Sequence, residues 1–370
     1  MTAVTDEFGV IQHFGEPLPE QRRLAAGEAV VPRADRAVIE VSGGDRLTWL
    51  DSITSQRLIG IRPGESRELL VLDPQGRVEH AAGVVDDGAS TWLIVDAADA
   101  APLAKWLGMM RFRADVAVTV RDELHVVGFV PGGTADRAVS SDVIWRDPWH
   151  AVQPGGWQYA AQSPHPGEEY AWAEAIISAA PTGVPFSGVL AAEALRIAAW
   201  RPRWSHEVDE RAIPHETDWL RSAVHLDKGC YRGQETVAKV HNLGHPPRRL
   251  VMLHLDGSDA VLPEPGDEVF EAALRQALRQ ALRQAQDRPQ DRPQDRPQEP
   301  VAGHITSSAR HYELGPIALA IVSRRTPGDA ALEVASDGIR IAAAQQVIVP
   351  ADAGRTVEVP RLMRLSRRPA

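Results

Sequence analysis

Two apolar runs flank the tetrapeptide Asp73-Pro74-Gln75-Gly76. Glu68–Leu72 precedes it, Gly76–Val85 follows it, and Asp-Pro-x-Gly is a strong turn signal. A connection this tight joins strands only antiparallel, because parallel neighbours need a crossover of a dozen residues or more. Ala37–Val41, Thr91–Val95 and Asp115–Val120 are further strand-like runs. Single helical patterns lie between them. Asp45 stands where it can cap a helix carrying Leu47, Leu50 and Ile53, and Ala98–Leu107 has a helical pattern. Tight turns alternating with lone helices predict an α+β sheet domain and exclude a doubly wound one.

The remainder of the chain divides by texture. Residues 150–175 are rich in Pro, Gly, Trp and His and read as a connection. Ala191–Trp200 is dominated by Ala and Leu and reads as a helix. From about Leu250 short β-type runs alternate with Gly, Pro and Asp, the pattern of a small antiparallel barrel or sandwich. Two regions follow: 1–248, with about 61–150 as an inserted second subdomain, and a barrel over 249–370. Low-complexity sequence at 271–300 interrupts the second. There Ala-Leu-Arg-Gln repeats three times over 273–284, with Leu274, Leu278 and Leu282 in a stripe. Gln-Asp-Arg-Pro then repeats over 286–297, where Pro289, Pro293 and Pro297 forbid a helix. The segment reads as a solvated insert between two strands.

A chain of 370 residues that is 44% hydrophobic can bury a large core. Its net charge of −10 argues against wrapping nucleic acid over the whole surface, and direct nucleic-acid binding is not expected. The arginine-rich end, RLMRLSRRPA, reads as a frayed tail. One cysteine excludes an internal disulfide and an all-cysteine metal cage, and fits a reducing compartment. The first fifteen residues lack the apolar run of a signal peptide, and no run of 18 apolar residues occurs. A cytoplasmic protein without a membrane partner is expected.

The one cysteine, Cys230, lies in Asp-Lys-Gly-Cys-Tyr-Arg-Gly-Gln-Glu, residues 227–235. The following residues read as a helix, with Gln234 and Glu235 in its first turn. A thiol just before a helix start, between Lys228 and Arg232, is placed to ionise. Gly229 and Gly233 would let a ligand approach the backbone. The plainer alternative is a small buried apolar group beside a glycine turn. His225, His241 and His245 are near in sequence, but no spacing ties one to the thiol as a base. The histidines show no metal-ligand spacing, and no metal is expected.

Residues 227–235 resemble the Lys-Gly-Cys-aromatic-x-Gly-Gln-Glu signature of the YgfZ family, folate-binding relatives of the glycine cleavage T-protein, an aminomethyltransferase. IEVSGGDRLTWLDSITSQ, LLVLDPQGRV, AAEALRIAAWRPRWSHEVDERAIPHE and HITSSARHYELGPIALAIV resemble further segments of that family, in order, over most of 35–345. Their order and spacing most resemble actinobacterial members. The resemblance implies two α+β subdomains and a C-terminal barrel, clover-like around a site for tetrahydrofolate or a folate derivative. It also implies an accessory role in assembling or repairing iron–sulfur clusters, including those of tRNA-modifying enzymes, with iron–sulfur proteins or their assembly machinery as partners. The functional pair then falls on Lys228 and Cys230. Whether the protein turns over a substrate is left open.

The alternative is a folate-dependent aminomethyl or one-carbon transferase of the T-protein type. GVVDD, residues 83–87, resembles the T-protein Gly-x-x-Asp-Asp, which would set Asp86 or Asp87 beside the folate, with Asp87 assisting transfer. Against this, the T-protein glutamate after Ala-Leu-Arg-Leu is Ala198 here. A strand ending at a hairpin would equally place Asp-Gly at this point. An anionic folate tail calls for arginines, with Arg203, Arg232, Arg248 and Arg249 as candidates. A pteridine calls for an aromatic or apolar slot, near Trp200, Trp204 or Trp219. Trp200, Arg203, Tyr231, Arg232, Gln234 and Glu235, with Asp86 and Asp87, are therefore the candidate ligand contacts.

Overall fold

A computed structural model describes residues 3–286 and 299–357. The Pro-bearing repeat beyond residue 286 and the arginine-rich last ten residues lie outside the described residues.

The chain starts with a small hairpin, β1 (Val4–Thr5) and β2 (Ile11–His13), then α1 (Pro17–Ala25) and β3 (Val30–Pro32). Next come β4 (Arg36–Ser42), α2 (Arg46–Ile53), β5 (Ser66–Leu72), β6 (Val78–Asp86), β7 (Ser90–Asp96), α3 (Ala97–Met110) and β8 (Ala117–Val120). They are followed by β9 (His125–Phe129), α4 (Thr134–Ala138), β10 (Ile144–Arg146), β11 (Ala173–Ile177), α5 (Val189–Ala198), α6 (Trp204–Glu207) and α7 (Gln234–Leu243). The C-terminal part holds β12 (Arg248–Leu255), β13 (Glu268–Glu271), α8 (Ala272–Gln286), β14 (Val301–His311), β15 (Gly315–Ser323), β16 (Leu332–Ser336) and β17 (Ile339–Val347).

The α+β class and the barrel are as the sequence predicts. A five-stranded sheet runs β5-β6-β7-β4-β8, a four-stranded sheet runs β10-β11-β9-β3, and β12-β15-β14-β13-β16-β17 close into a barrel. The hairpin at Asp73–Gly76 pairs Leu69 with Ala82 and Leu70 with Ala81. The second sheet departs from the boundary expected at 61–150. It starts at Arg36, because β4 pairs with β7 and β8, and the strands at 125–146 join β3 and β11 instead. Local pattern marks a strand but not its partner.

Strand alternation explains the barrel's two cores. Val251, Leu253 and Leu255 point into the barrel with Val269, Ile305 and Val334. Leu250 and Met252 point outwards into a junction with Leu70, Ile197, Trp149, Trp200 and Trp219. All three tryptophans are buried there. Trp200 donates its Nε1–H to Met252 Sδ at 2.9 Å, so it is a core residue and not a ligand wall. Asp45 does not cap α2 with its side chain; its Oδ2 accepts the Asp115 N–H at 2.8 Å instead. The alanine-leucine repeat forms α8, between two strands that pair with each other. Among the described residues no helix is long and apolar enough to cross a membrane.

Candidate ligand site

α5 ends at Ala198, and the segment after it runs across the meeting point of both sheets and the barrel. It carries Arg201, buried, and Arg203, half-buried, each held by acids from distant parts of the chain. Arg203 donates to Asp96 Oδ1 at 2.6 Å, Asp35 Oδ2 at 2.7 Å and Glu193 Oε1 at 3.1 Å. Arg201 bridges Glu68 at 2.5 Å and Asp147 at 2.8 Å. Arg196 bridges Glu193 at 2.8 Å and Glu207 at 3.0 Å, and donates to Ser307 Oγ at 2.7 Å. Arg33 and Arg36 complete the cluster on Glu174, with Arg33 also on Asp35 and Arg36 also on Asp96.

Electrostatics in this cluster is settled by pairing rather than by burial. Burial alone pushes Asp35, Asp96 and Glu193 up, but the guanidiniums outweigh it and hold all three well below the usual carboxylate range. Asp147 goes the other way: burial raises it, Arg201 opposes, and neighbouring Glu68 adds to the rise.

Two spaces flank the cluster. The inner one is a cavity of about 50 Å³ among Arg36, Glu68, Tyr170, Glu193, Arg201 and Trp219. The Trp219 Nε1–H is buried there without a protein partner. The outer one is a cleft of about 780 Å³. Phe8 and Val10 line it from the turn between β1 and β2, and Ala97 and Ala98 from the start of α3. Leu190, Glu193 and Ile197 line it from one face of α5, at the three- and four-residue spacing that puts side chains on one side of a helix. Pro265, Ser307 and Ser308 of the barrel region close it, and Arg203 belongs to the walls of both spaces.

The structure does not gather the residues singled out in the sequence. Cys230 is exposed, on the loop before α7. Lys228 is buried and turned onto the last turn of α2 and the chain after it, donating Nζ–H to the carbonyl oxygens of Asp51, Thr54 (2.8 Å) and Gln56 (3.0 Å). Burial pushes it down to about 8, against the pull of Asp51. Its ammonium also sits 5.2 Å from the centre of the buried Tyr231 ring. Gln234 Nε2 donates to the Lys228 carbonyl at 3.1 Å, Arg232 pairs with Glu79 at 2.6 Å, and Glu235 is exposed. Both cations expected to favour the thiolate are thus engaged elsewhere. Gly233 is demanded by its φ of +84° and by the Asp73 carbonyl, 2.6 Å from where a Cβ would stand, so it admits this chain's own turn and not a ligand.

Asp86 ends β6 and Asp87 follows it, at the opposite end of the strand from Glu79 and roughly 20 Å away. Asp86 is buried and accepts from Arg46 (2.8 and 3.0 Å), Thr91 (2.6 Å) and the Gly88 N–H (2.9 Å). Asp87 accepts from the N–H groups of Ala89 and Ser90 and from Trp92 Nε1 at 2.7 Å. Neither lines the cleft. Both acids are engaged by the hairpin's own N–H groups. Of the candidate contacts, only Arg203 lies on the cleft. Asp35, Asp96, Glu193 and His206 escaped sequence reasoning. A signal was present in Trp-Arg-Pro-Arg-Trp, residues 200–204, where two arginines sit among tryptophans and need buried acids.

Among the described residues no group of three His, Cys, Asp or Glu side chains is arranged to hold a metal. No protein-family model matches the chain, and no curated protein matches it. Among solved structures, it is similar to the crystal structure of glycine cleavage system aminomethyltransferase T from Bartonella henselae, at 14% identity over 96% of each chain with a TM-score of 0.66. The chain therefore has an aminomethyltransferase-like fold, with the cleft set where both sheets approach the barrel.

Proposed function

We propose that this protein binds a tetrahydrofolate-type ligand and serves as an accessory factor in assembling or repairing iron–sulfur clusters, including those of tRNA-modifying enzymes. The observation that carries the binding half is the 780 Å³ cleft in an aminomethyltransferase-like fold. Ligand pockets run to about 300–1,000 Å³. The inner cavity does not fit such a ligand: its 50 Å³ holds a few waters at most. The cleft fits. Its apolar side, with Val10, Val189, Leu190 and Pro265, suits a flat heterocycle. On its acidic side, Glu193 Oε1 and Asp96 Oδ2 each accept one hydrogen bond and keep capacity for another.

When bound, tetrahydrofolate supplies a reduced heterocycle able to carry one-carbon units. This chain's residues would bind and orient it, with Glu193 and Asp96 accepting its N–H groups and the wall around Leu190 excluding water. The accessory role rests on the signature at 227–235 and on the exposure of Cys230, which leaves the thiol free to meet a protein partner.

Thermal denaturation with increasing tetrahydrofolate or 5-formyltetrahydrofolate, under reducing conditions, tests the binding half. A saturable rise is expected, worth about 2.7 kcal/mol at a hundred times Kd, because the ligand binds only the folded chain. Leu190→Trp, which fills the cleft from a partly exposed position, should abolish it. No rise with the wild-type protein overturns the reading. For the accessory half, iron–sulfur enzyme activity should fall on deleting the gene and return with the wild type but not with Cys230→Ser.

A further inference from the structure

The charges around the cleft say which end of such a ligand it grips. Asp6, Asp35, Asp96 and Glu193 line it, against Arg203 and His206; Arg33, Arg36 and Arg196 behind the lining pair with the last three acids, and Asp6 has no ion pair among the described residues. Arg203 has no charge to spare, since three carboxylates share it at 2.6–3.1 Å. Every other arginine expected to hold an anionic tail is also engaged and stands away from the cleft lining. Arg232 pairs with Glu79, and Arg248 with Asp209 and Glu216. Arg249 is buried, donating to the Thr326 carbonyl at 2.7 Å. Beside the acids the lining is apolar at Val10, Leu190 and Ile197. Apolar walls beside an acidic face accept a flat, N–H-rich head and repel carboxylates.

We infer that the cleft selects the amino-heterocyclic head alone, so that its ligand class is the unconjugated reduced pterin and a polyglutamate tail weakens binding. The inference rests on the reading that a pterin head occupies this cleft, and it adds that the glutamate tail makes no favourable contact.

Isothermal titration at low ionic strength under reducing conditions separates the two. The ligands are 6-methyltetrahydropterin, tetrahydrofolate and tetrahydrofolate triglutamate. The expected order has the pterin at least as tight as tetrahydrofolate, and the triglutamate at least threefold weaker than the monoglutamate. Ala98→Arg puts a cation on an exposed position of the lining and should reverse the glutamate dependence, so that the triglutamate binds tighter than the monoglutamate. Tetrahydrofolate binding more than threefold tighter than the pterin, or a triglutamate no weaker than the monoglutamate, overturns the inference and leaves the folate reading standing. Failure of all three ligands to bind overturns both.

Discussion

Arg203 and Asp96 meet at 2.6 Å although 107 residues separate them in the chain. The contact joins the segment after α5 to the end of β7, and Asp35 and Glu193 close around the same guanidinium. Removing it takes one guanidinium from the buried Asp96 and the half-buried Asp35 and Glu193, which keep Arg36, Arg33 and Arg196 respectively. Arg203→Met should therefore destabilise the protein by about 1.5–3 kcal/mol at neutral pH, the scale of losing hydrogen bonds to charged groups. Urea denaturation measures it. Wild-type Asp96 and Glu193 are held low, so their contribution is present above about pH 4 and is lost as pH falls further. The gap between variant and wild type should narrow in that range.

Lys228 and Cys230 should separate in stability. Lys228→Met removes the donor shared by three backbone carbonyls and should cost about 1–3 kcal/mol. Cys230→Ser alters an exposed side chain and should stay within about 0.5 kcal/mol of wild type. Because burial lowers Lys228 to about 8, the unfolded chain binds more protons between there and about pH 10.4. Wild-type stability should gain a rising contribution over that window that Lys228→Met lacks, as denaturation at pH 7.5 and 9.5 would show.

Asp218 supplies the opposite slope. Burial pushes its carboxyl up to about 7, against N–H donors from Tyr159 and Ala160. The folded chain holds this proton more tightly than the unfolded one, so the stability it contributes is present below about pH 4 and lost as pH rises through 7. Asp218→Asn keeps an acceptor for the Tyr159 N–H and removes the titration. Denaturation midpoints at pH 4.5, 6 and 7.5 should fall less with rising pH in the variant than in wild type.

Deleting residues 273–298 and closing β13 to β14 with a short turn should leave the barrel folded. The two strands already pair, Val269 with Gly303 and Glu268 with His304, so the removed segment is only their connection. Loop length costs little, about 0.6 kcal/mol for each doubling. Among the described residues, the deletion removes Arg275, which pairs with Glu299 and Glu333. A near-native circular dichroism spectrum and an unchanged response to tetrahydropterin are the expected outcomes.

Local chemistry was readable in advance. The turn at Asp73–Gly76, the helices at α5 and α7 and the period-two texture of the barrel all follow from residues close in sequence. The site was not readable to the same degree, because its bonds span great lengths of chain. Arg203 reaches Asp35 across 168 residues and Arg201 reaches Glu68 across 133. No periodicity announces such a pair. Asp86-Asp87 shows the converse hazard. Two adjacent acids suggested chemistry, and the hairpin used both to satisfy its own N–H groups. Lys228 was noticed for its charge but serves through its three donors.

The arginines after and within α5 have a mechanical meaning as well. Arg201 fastens β5 through Glu68, Arg203 fastens β7 through Asp96, and Arg196 reaches Ser307 in the barrel. One short stretch of chain thus brackets the five-stranded sheet to the barrel. Loosening either layer leaves charges without the partners that the other supplied, so partial melting is penalised on both sides at once. The protein should lose its structure in one calorimetric step, and fragments cut between its sheets and its barrel should be poor folders.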